Sequence, residues 1–464
     1  MRVHILAALG IMVSSIACAV AACSGAGRAS GFDDSSGDAG GDGAGGGFGF
    51  SVDAAAKPPC VGLACAVDSQ CGAGNETTLA GTVYAPNGTL PLYNAVIYVP
   101  NFDVAPMPKG AVCDQCGSVA SGSPITTTLS GSDGKFKLKN VPTGKNIPLV
   151  IQIGKWRRQV AIPEIKRCSV NNVTDVELLR LPKKRSEGDM PQIALTTGGC
   201  DGLGCMLKKV GIDNSEFGTM ADANRAVHIF TGGNSSGAGW PAADILWKDA
   251  NTMKKYDQLI LSCECTENLQ NKGSSGTQAF QAMSDYMAAG GRIFTTDFMY
   301  TWYKLSSDPQ MRSVGAIPGG APVQSGGYSV ALDQSFPKGQ ALVEWLKAAG
   351  SSSPAQPSFD VVFANLSSID KTKAQVWGND PSKPTTPRIF TVNTPVGLPV
   401  DKQCGKGVHI DVHVNNSDQV GAGFPATGCA SAMKDGEKML AFFMFDLASC
   451  IQKDSDPPPL PPVK

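Results

Sequence analysis

Residues 256–298 read YDQLILSCECTENLQNKGSSGTQAFQAMSDYMAAGGRIFTTDF, and their pattern decides the fold. DQLILSC is a short continuous apolar run, as expected of a strand buried on both faces in a parallel sheet. TQAFQAMSDYMAAGG has the spacing of an amphipathic helix, and Gly290-Gly291 ends it. RIFTTDF is a second strand. Strand, helix and strand in succession predict a crossover unit, and therefore an α/β layer.

The same alternation continues outward. QIALTTG (192–198) and AVHIF (226–230) read as strands, with a short helix through Leu203–Val210 between them. ADILWKDANTMKKY (243–256) and QALVEWLKAAG (340–350) read as helices. RIFTVNT (388–394) and GVHIDVHV (407–414) read as later strands, and DGEKMLAFFMFDLASC (435–450) as a closing helix. Residues 191–452 are therefore expected to form one α/β domain with a largely parallel, flavodoxin-like sheet.

Upstream the pattern changes. TTLAGTVYAPNGTLPLYNAVIYVPN (77–101), TTTLSGSDGKFKLKNVPTG (126–144) and IPLVIQIGKWRRQVAIPEI (147–165) alternate in the manner of strands. Turn signals separate them at Pro86-Asn87-Gly88, Asp133-Gly134 and Val141-Pro142-Thr143-Gly144. Residues 77–182 are expected to form a β-sandwich, joined by a charged linker (183–190) to the α/β domain. Cys60, Cys65 and Cys71 mark a cysteine-rich leader (58–76). DPPPLPPVK closes a proline-rich tail (453–464) expected to be disordered and extended.

The amino terminus speaks to the compartment. ILAALGIMVSSIACAV is too short an apolar run for a comfortable membrane span. It leads into Val20-Ala21-Ala22-Cys23, the pattern of a bacterial lipoprotein signal (1–22) with Cys23 as the lipidated residue; Cys18 is the weaker alternative. Ser24, rather than Asp, follows Cys23 and points to the outer membrane. Residues 23–57, rich in Gly, Ala, Ser and Asp, are expected to be a disordered tether.

The chain has 464 residues and a formal net charge of -1, which leaves no electrostatic footprint for nucleic acid. Of its 15 cysteines, 13 remain once Cys18 and Cys23 are set aside. In an exported protein Cys60, Cys65, Cys71, Cys113, Cys116, Cys168, Cys200, Cys205, Cys263, Cys265, Cys404, Cys429 and Cys450 are expected in disulfides, with at least one left over because the number is odd. Cys113 and Cys116 form one CxxC, but no second CxxC stands at zinc-ribbon spacing.

Two stretches carry resemblances. Gly81-x-Val83-x-x-Pro86-x-Gly88, Pro91-Leu92 with Ala95 and Val96, Asp133-Gly134-x-Phe136 and Val141-Pro142-x-Gly144 resemble the carboxypeptidase regulatory-like domain. That resemblance implies a prealbumin-like sandwich used for binding or scaffolding; the insert 101–124 departs from it. No HxxE zinc motif occurs, so peptidase chemistry is not implied. Tyr256-Asp257-x-Leu259-Ile260-Leu261, Tyr286 and Ala289-Gly290-Gly291-Arg292-Ile293-Phe294 resemble the class I glutamine amidotransferase-like fold in its ThuA-like branch. The amidotransferase nucleophile would follow RIFTTDF, where Thr295, Thr296 and Asp297 stand and no Cys does. The whole, with Lys155-Trp156-Arg157-Arg158, Gly211-Ile212-Asp213-x-x-Glu216-Phe217 and Phe445-Asp446-Leu447-x-x-Cys450, resembles bacterial cell-surface lipoproteins with a carboxypeptidase regulatory-like domain, a resemblance that implies no established activity.

Few residues offer chemistry. His409, Asp411 and His413 fall two apart and would share one face of a regular strand, with Val408, Ile410, Val412 and Val414 turned to the core. With Asp297 they make a candidate polar cleft. Tyr300, Trp302 and Tyr303 make a candidate aromatic platform for sugar rings. TTGGCDGLG and FTGGNSSGAG lack the spacing of nucleotide-binding loops and read as plain loops. No cofactor and no metal is assigned. The sequence favours a non-catalytic envelope lipoprotein, anchored in the membrane through its lipid, that binds a glycan or protein ligand. It leaves open a metal-assisted hydrolase or carbohydrate-modifying enzyme using the His409/Asp411/His413 face, and a purely structural envelope component.

Overall fold

The computed structural model describes residues 60–72, 74–235, 239–273, 277–320, 328–413, 424, 429 and 432–463. The signal segment, Cys23 and the tether lie outside the described residues. Pro59–Lys464 form one compact unit.

Seven strands come first: β1 (Thr78–Thr82), β2 (Val96–Pro100), β3 (Pro124–Leu129), β4 (Lys135–Lys139), β5 (Gly144–Ile153), β6 (Trp156–Ile165) and β7 (Val170–Asn172). They form a three-stranded sheet, β4-β1-β7, and a four-stranded sheet, β3-β2-β5-β6. In β4 Phe136 and Leu138 are buried while Lys135, Lys137 and Lys139 are exposed, the alternation of a sheet with one wet face. Gly134 turns the chain with φ +75°, and a Cβ there would come within 2.7 Å of the Val83 carbonyl oxygen. A single helical turn, Val176–Leu179, capped by Asp175, follows the strands.

The rest is built on β8 (Ile193–Thr196), β9 (Phe217–Gly218), β10 (Val227–Phe230), β11 (Gln258–Leu261) and β12 (Arg292–Thr296), then β13 (Gly315–Ala316), β14 (Ala331–Leu332), β15 (Val361–Val362), β16 (Ser368–Ile369), β17 (Gln375–Asp380), β18 (Lys383–Thr394), β19 (Gly405–Ile410) and β20 (Val412–His413). Nine strands share one sheet in the order β14-β17-β18-β19-β12-β11-β8-β10-β9. β9, β10, β8, β11, β12 and β19 pair in parallel, whereas β18, β17 and β14 add on antiparallel. The expected largely parallel sheet is thus a mixed one. The reason is local: only Pro381 and Ser382 separate β17 from β18, and so short a connection can join only antiparallel strands.

The crossover read at 256–298 is present. Leu259 pairs beside Ile293 and Ile260 beside Phe294, both fully buried. The helix Gln278–Ala288 buries Ala279, Phe280, Ala282, Met283, Tyr286 and Met287, the three-and-four spacing of one apolar face. The closing helix, Asp435–Ala448, is apolar on all sides from Met439 to Phe445, and every one of those residues is buried. Phe445 meets Trp156 of β6, Phe442 stacks with Tyr93, and Phe443 meets Trp377 of β17. This helix is wedged between the first strands and the large sheet, so one core runs through both.

Six disulfides brace the unit: Cys60–Cys65, Cys71–Cys168, Cys113–Cys404, Cys116–Cys450, Cys200–Cys265 and Cys205–Cys429. Cys263 is corrected from a disulfide partner to a buried free thiol. The tail is extended but not loose. Asp454 is buried and pairs with Lys338 and Lys406, each of which also pairs with Asp446, and Thr127 donates to the Pro461 carbonyl oxygen at 3.0 Å. A buried carboxyl with two ammonium partners fixes the segment that carries it.

Candidate functional site

Parallel strands deliver their carboxyl ends to one edge of a sheet, and there the loops after β8, β11 and β12 meet the end of β19. Asp297 follows β12 directly, at the turn into a short helix, with φ +39°. That left-handed backbone is unusual for a residue with a Cβ. Its Oδ2 accepts from His413 Nε2 at 2.8 Å and from the Cys263 thiol at 3.1 Å. Its Oδ1 accepts from Asn365 Nδ2 at 2.6 Å. Cys263 is placed by its own backbone N–H, which donates to Thr296 Oγ1 at 3.1 Å. His413 is placed by the β15–β20 ladder, opposite Val361.

Asp411 sits behind this group. Its Oδ1 accepts from the same Asn365 Nδ2 at 2.6 Å, and its Oδ2 from the Asn365 backbone N–H at 3.0 Å. His409 points elsewhere: Nδ1 meets Thr295 Oγ1 at 3.0 Å, while Nε2 has no hydrogen-bond partner among the described residues and lies 4.0 Å from Asp411 Oδ1. The strand breaks at Asp411, between β19 and β20, so His409, Asp411 and His413 do not form one continuous face.

The four residues of the expected cleft are brought together, but they are enclosed. Asp297, Asp411 and His409 are 0 % exposed and His413 3 %. Both faces of β19 are buried, so the division into a core face and an open face does not hold. Tyr300, Trp302 and Tyr303 are also buried and offer no open platform for a sugar. Trp302 packs on Trp247 and Phe280, and Tyr303 on Phe390 and His409. A run of aromatics after a buried strand fills the core more readily than it faces water.

Enclosure sets the electrostatics. Burial, with the charges of Asp297 and Asp201 added, pushes the Cys263 thiol well above its ordinary range. Burial lifts Asp411 to about 7, with the Asp297 charge adding to it. Burial lowers His409 to about 3, so its ring is neutral. Burial also opposes protonation of His413, yet the hydrogen bond to Asp297 and the charges of Asp201, Asp297 and Asp411 carry it above its ordinary value. Three carboxyl groups thus crowd a thiol and an imidazole, while the Arg388 charge acts to lower Asp411.

Such a cluster suits a cation. One donor atom each from Cys263, Asp297 and His413 lie within 4.8 Å of one another, all buried. Around one tetrahedral zinc, donors at ordinary bond lengths stand roughly 3.4–3.6 Å apart. A second grouping, Asp68 with Cys71 and Cys168, is closed by the disulfide between its two cysteines.

Sequence reasoning placed Asp297 and His413 but missed Asn365, which joins two carboxyl groups from a loop without a motif. Cys263 carried two signals: the odd cysteine number and a position just after a buried strand. The glycines beside the site serve close packing. A Cβ on Gly198 would stand 1.9 Å from the Cys263 carbonyl oxygen, and one on Gly232 would stand 2.0 Å from that of Thr197.

No family model and no curated relative matches the chain. Solved structures resemble it loosely. A cytoplasmic protein of Salmonella typhimurium matches at 12% identity over 56% of this chain and 100% of its own, with a TM-score of 0.32. A putative ThuA-like protein of Bacteroides uniformis matches at 11% identity over 55% of this chain and 91% of its own, with a TM-score of 0.30. A type II cohesin–X-dockerin complex of Acetivibrio cellulolyticus matches at 13% identity over 31% of this chain and 75% of its own, with a TM-score of 0.15. At such scores they fix neither fold nor function.

Proposed function

We propose that this chain is an exported, lipid-anchored envelope protein that holds one divalent transition-metal ion, of the zinc class, at Cys263, Asp297 and His413. The ion fastens three strand ends together and turns over no substrate; the protein's outer surface binds a glycan or protein ligand. The observation that carries the metal is the convergence of a thiol, a carboxylate and an imidazole within 4.8 Å in a buried, carboxyl-rich setting. Zinc takes these donors, and binding would deprotonate the thiol that burial otherwise keeps neutral. Near-complete enclosure of the ligands supports a structural ion, with Asp201, whose charge reaches both Cys263 and His413, nearby as a further donor.

The anchor reading rests on Val20-Ala21-Ala22-Cys23 and is supported by disulfides that suit an oxidising compartment. Seven strands in two sheets support a prealbumin-like sandwich of the carboxypeptidase regulatory-like type. The order β10-β8-β11-β12-β19 supports a flavodoxin-like core with the ThuA-like resemblance.

A metal-assisted hydrolase is the second reading. It is favoured by Asp297, which stands on a left-handed turn after a parallel strand, where α/β enzymes display reacting groups. Three protein ligands would leave a position for water. Cobalt loading separates the two. Both readings expect a thiolate-to-cobalt charge-transfer band that Cys263→Ser abolishes. Azide leaves that spectrum unchanged if the ion is closed off, and shifts it if a position is open. Absence of the band in the parent protein would sink both.

A further inference from the structure

A second site lies away from the carboxyl edge, where the first strands meet the large sheet. The insert loop at Lys109, the β5–β6 turn at Lys155, the joint at Arg185 and Asp189, and the chain entering β11 at Lys255 and Asp257 enclose a crevice of about 320 Å³. That lies at the lower end of the range of small-molecule sites.

The charges around it do not balance. Four cations line the crevice, Lys109, Lys155, Arg185 and Lys255, against two acids, Asp189 and Asp257. Both acids are already engaged. Asp189 is held by Arg157, at 2.8 Å from Nε and 2.7 Å from Nη2. Asp257 pairs with Lys155 and accepts from the Gln192 backbone N–H at 2.6 Å. Arg185 is half-buried, and its guanidinium meets only neutral oxygens: the Ala223 carbonyl at 3.1 Å and Gln192 Oε1 at 2.6 Å. Glu216 accepts from the Arg185 backbone N–H at 2.8 Å, but no described carboxylate lies within ion-pair distance of the Arg185 guanidinium or of the Lys109 and Lys255 ammonium groups. A half-buried guanidinium that lines a crevice together with two ammonium groups, its charge met at longer range by Glu216 and Asp257, is stabilised further by a compact anion.

We infer that this crevice binds a doubly charged oxyanion, a phosphate or sulfate group free or as the monoester of a small sugar, held by Arg185 with Lys109 and Lys255. Arg185 would supply the directional contacts, since a planar guanidinium can offer two parallel N–H donors, and the two lysines the remaining charge. The site is independent of the metal centre: it stands at the amino ends of β8 and β11, the opposite edge of the sheet.

The test is calorimetric titration of the whole folded protein at low salt with inorganic phosphate, glucose 6-phosphate and glucose. Phosphate and glucose 6-phosphate are expected to bind saturably and to compete, and glucose is not expected to bind. Lys109→Gln/Lys255→Gln, at two exposed positions, should keep the parent thermal midpoint without ligand yet weaken both anions by tenfold or more. Arg185→Gln should abolish binding. Absence of saturable binding by either anion would overturn the inference, as would equal affinity in parent and the double lysine variant.

Discussion

At the scale of the residue, Cys263 and Glu187 show how environment decides what a side chain does. Cys263 is the one free thiol among the described cysteines, and it is fully buried against Asp297. Thiols react as thiolates; this one is shielded by burial, held protonated when no ion is bound and masked by the ion when one is. The folded protein should therefore show no thiol reactive to maleimide, and one per chain once denatured with a chelator and without reductant; a reactive thiol in the folded state would contradict the burial of Cys263. Glu187 shows the opposite shift. The hydrogen bond from Arg180 pulls its carboxyl down to about 2 from an ordinary 4.5. A carboxyl depressed by folding stabilises above its ordinary pKa, and that contribution is lost as the pH falls through the folded value. Denaturant midpoints should fall between about pH 4.5 and pH 2, and Glu187→Gln should flatten part of that slope. A slope identical in the variant would show that the Arg180 pair does not couple to folding.

At the scale of the element, the closing helix and the β17–β18 hairpin mark the reach of local pattern. The helix was legible because Met439–Phe445 leaves no polar face, and such a helix must be covered on every side. What covers it was not legible, because Tyr93, Trp156 and Trp377 lie far off in the chain. Phe442 lies among Tyr93, Trp345 and Trp377. Phe442→Ala should cost roughly 3–5 kcal/mol, read from the shift in urea midpoint; a loss below about 1 kcal/mol would mean that the helix is not the shared core. The strand before the hairpin, QVWGND, escaped sequence reading because Pro381-Ser382 lacks the glycine signal of a tight turn. His409, Asp411 and His413 were read as one face, since period-two spacing is visible in sequence whereas the break at Asp411 is not.

At the scale of the whole molecule, distant partners bind the parts into one unit. The insert 101–124, which departs from the simple sandwich pattern, carries Cys113 and Cys116. These bridge to Cys404 and Cys450, 291 and 334 residues away in sequence. Cross-links between such distant points restrict the unfolded chain, and removing one from a folded protein typically costs about 2–5 kcal/mol. Cys113→Ser/Cys404→Ser should accordingly lower the thermal midpoint measurably, and an unchanged midpoint would show that this bridge restrains little. The odd cysteine number was readable, but the pairing was not, since it depends on contacts that only the folded chain makes. The buried ion group of Lys338, Lys406, Asp446 and Asp454 was equally hidden, because a proline-rich tail looks free until its one buried carboxyl is placed.

The most direct test of the metal centre is the metal content of the protein exported through an oxidising compartment, measured beside a Cys263→Ser/His413→Ala variant of matched fold. About one zinc-class ion per chain in the parent and none in the variant is the expected result. No bound metal in either protein would contradict it, leaving Cys263, Asp297, His413 and Asn365 as a self-contained hydrogen-bond network.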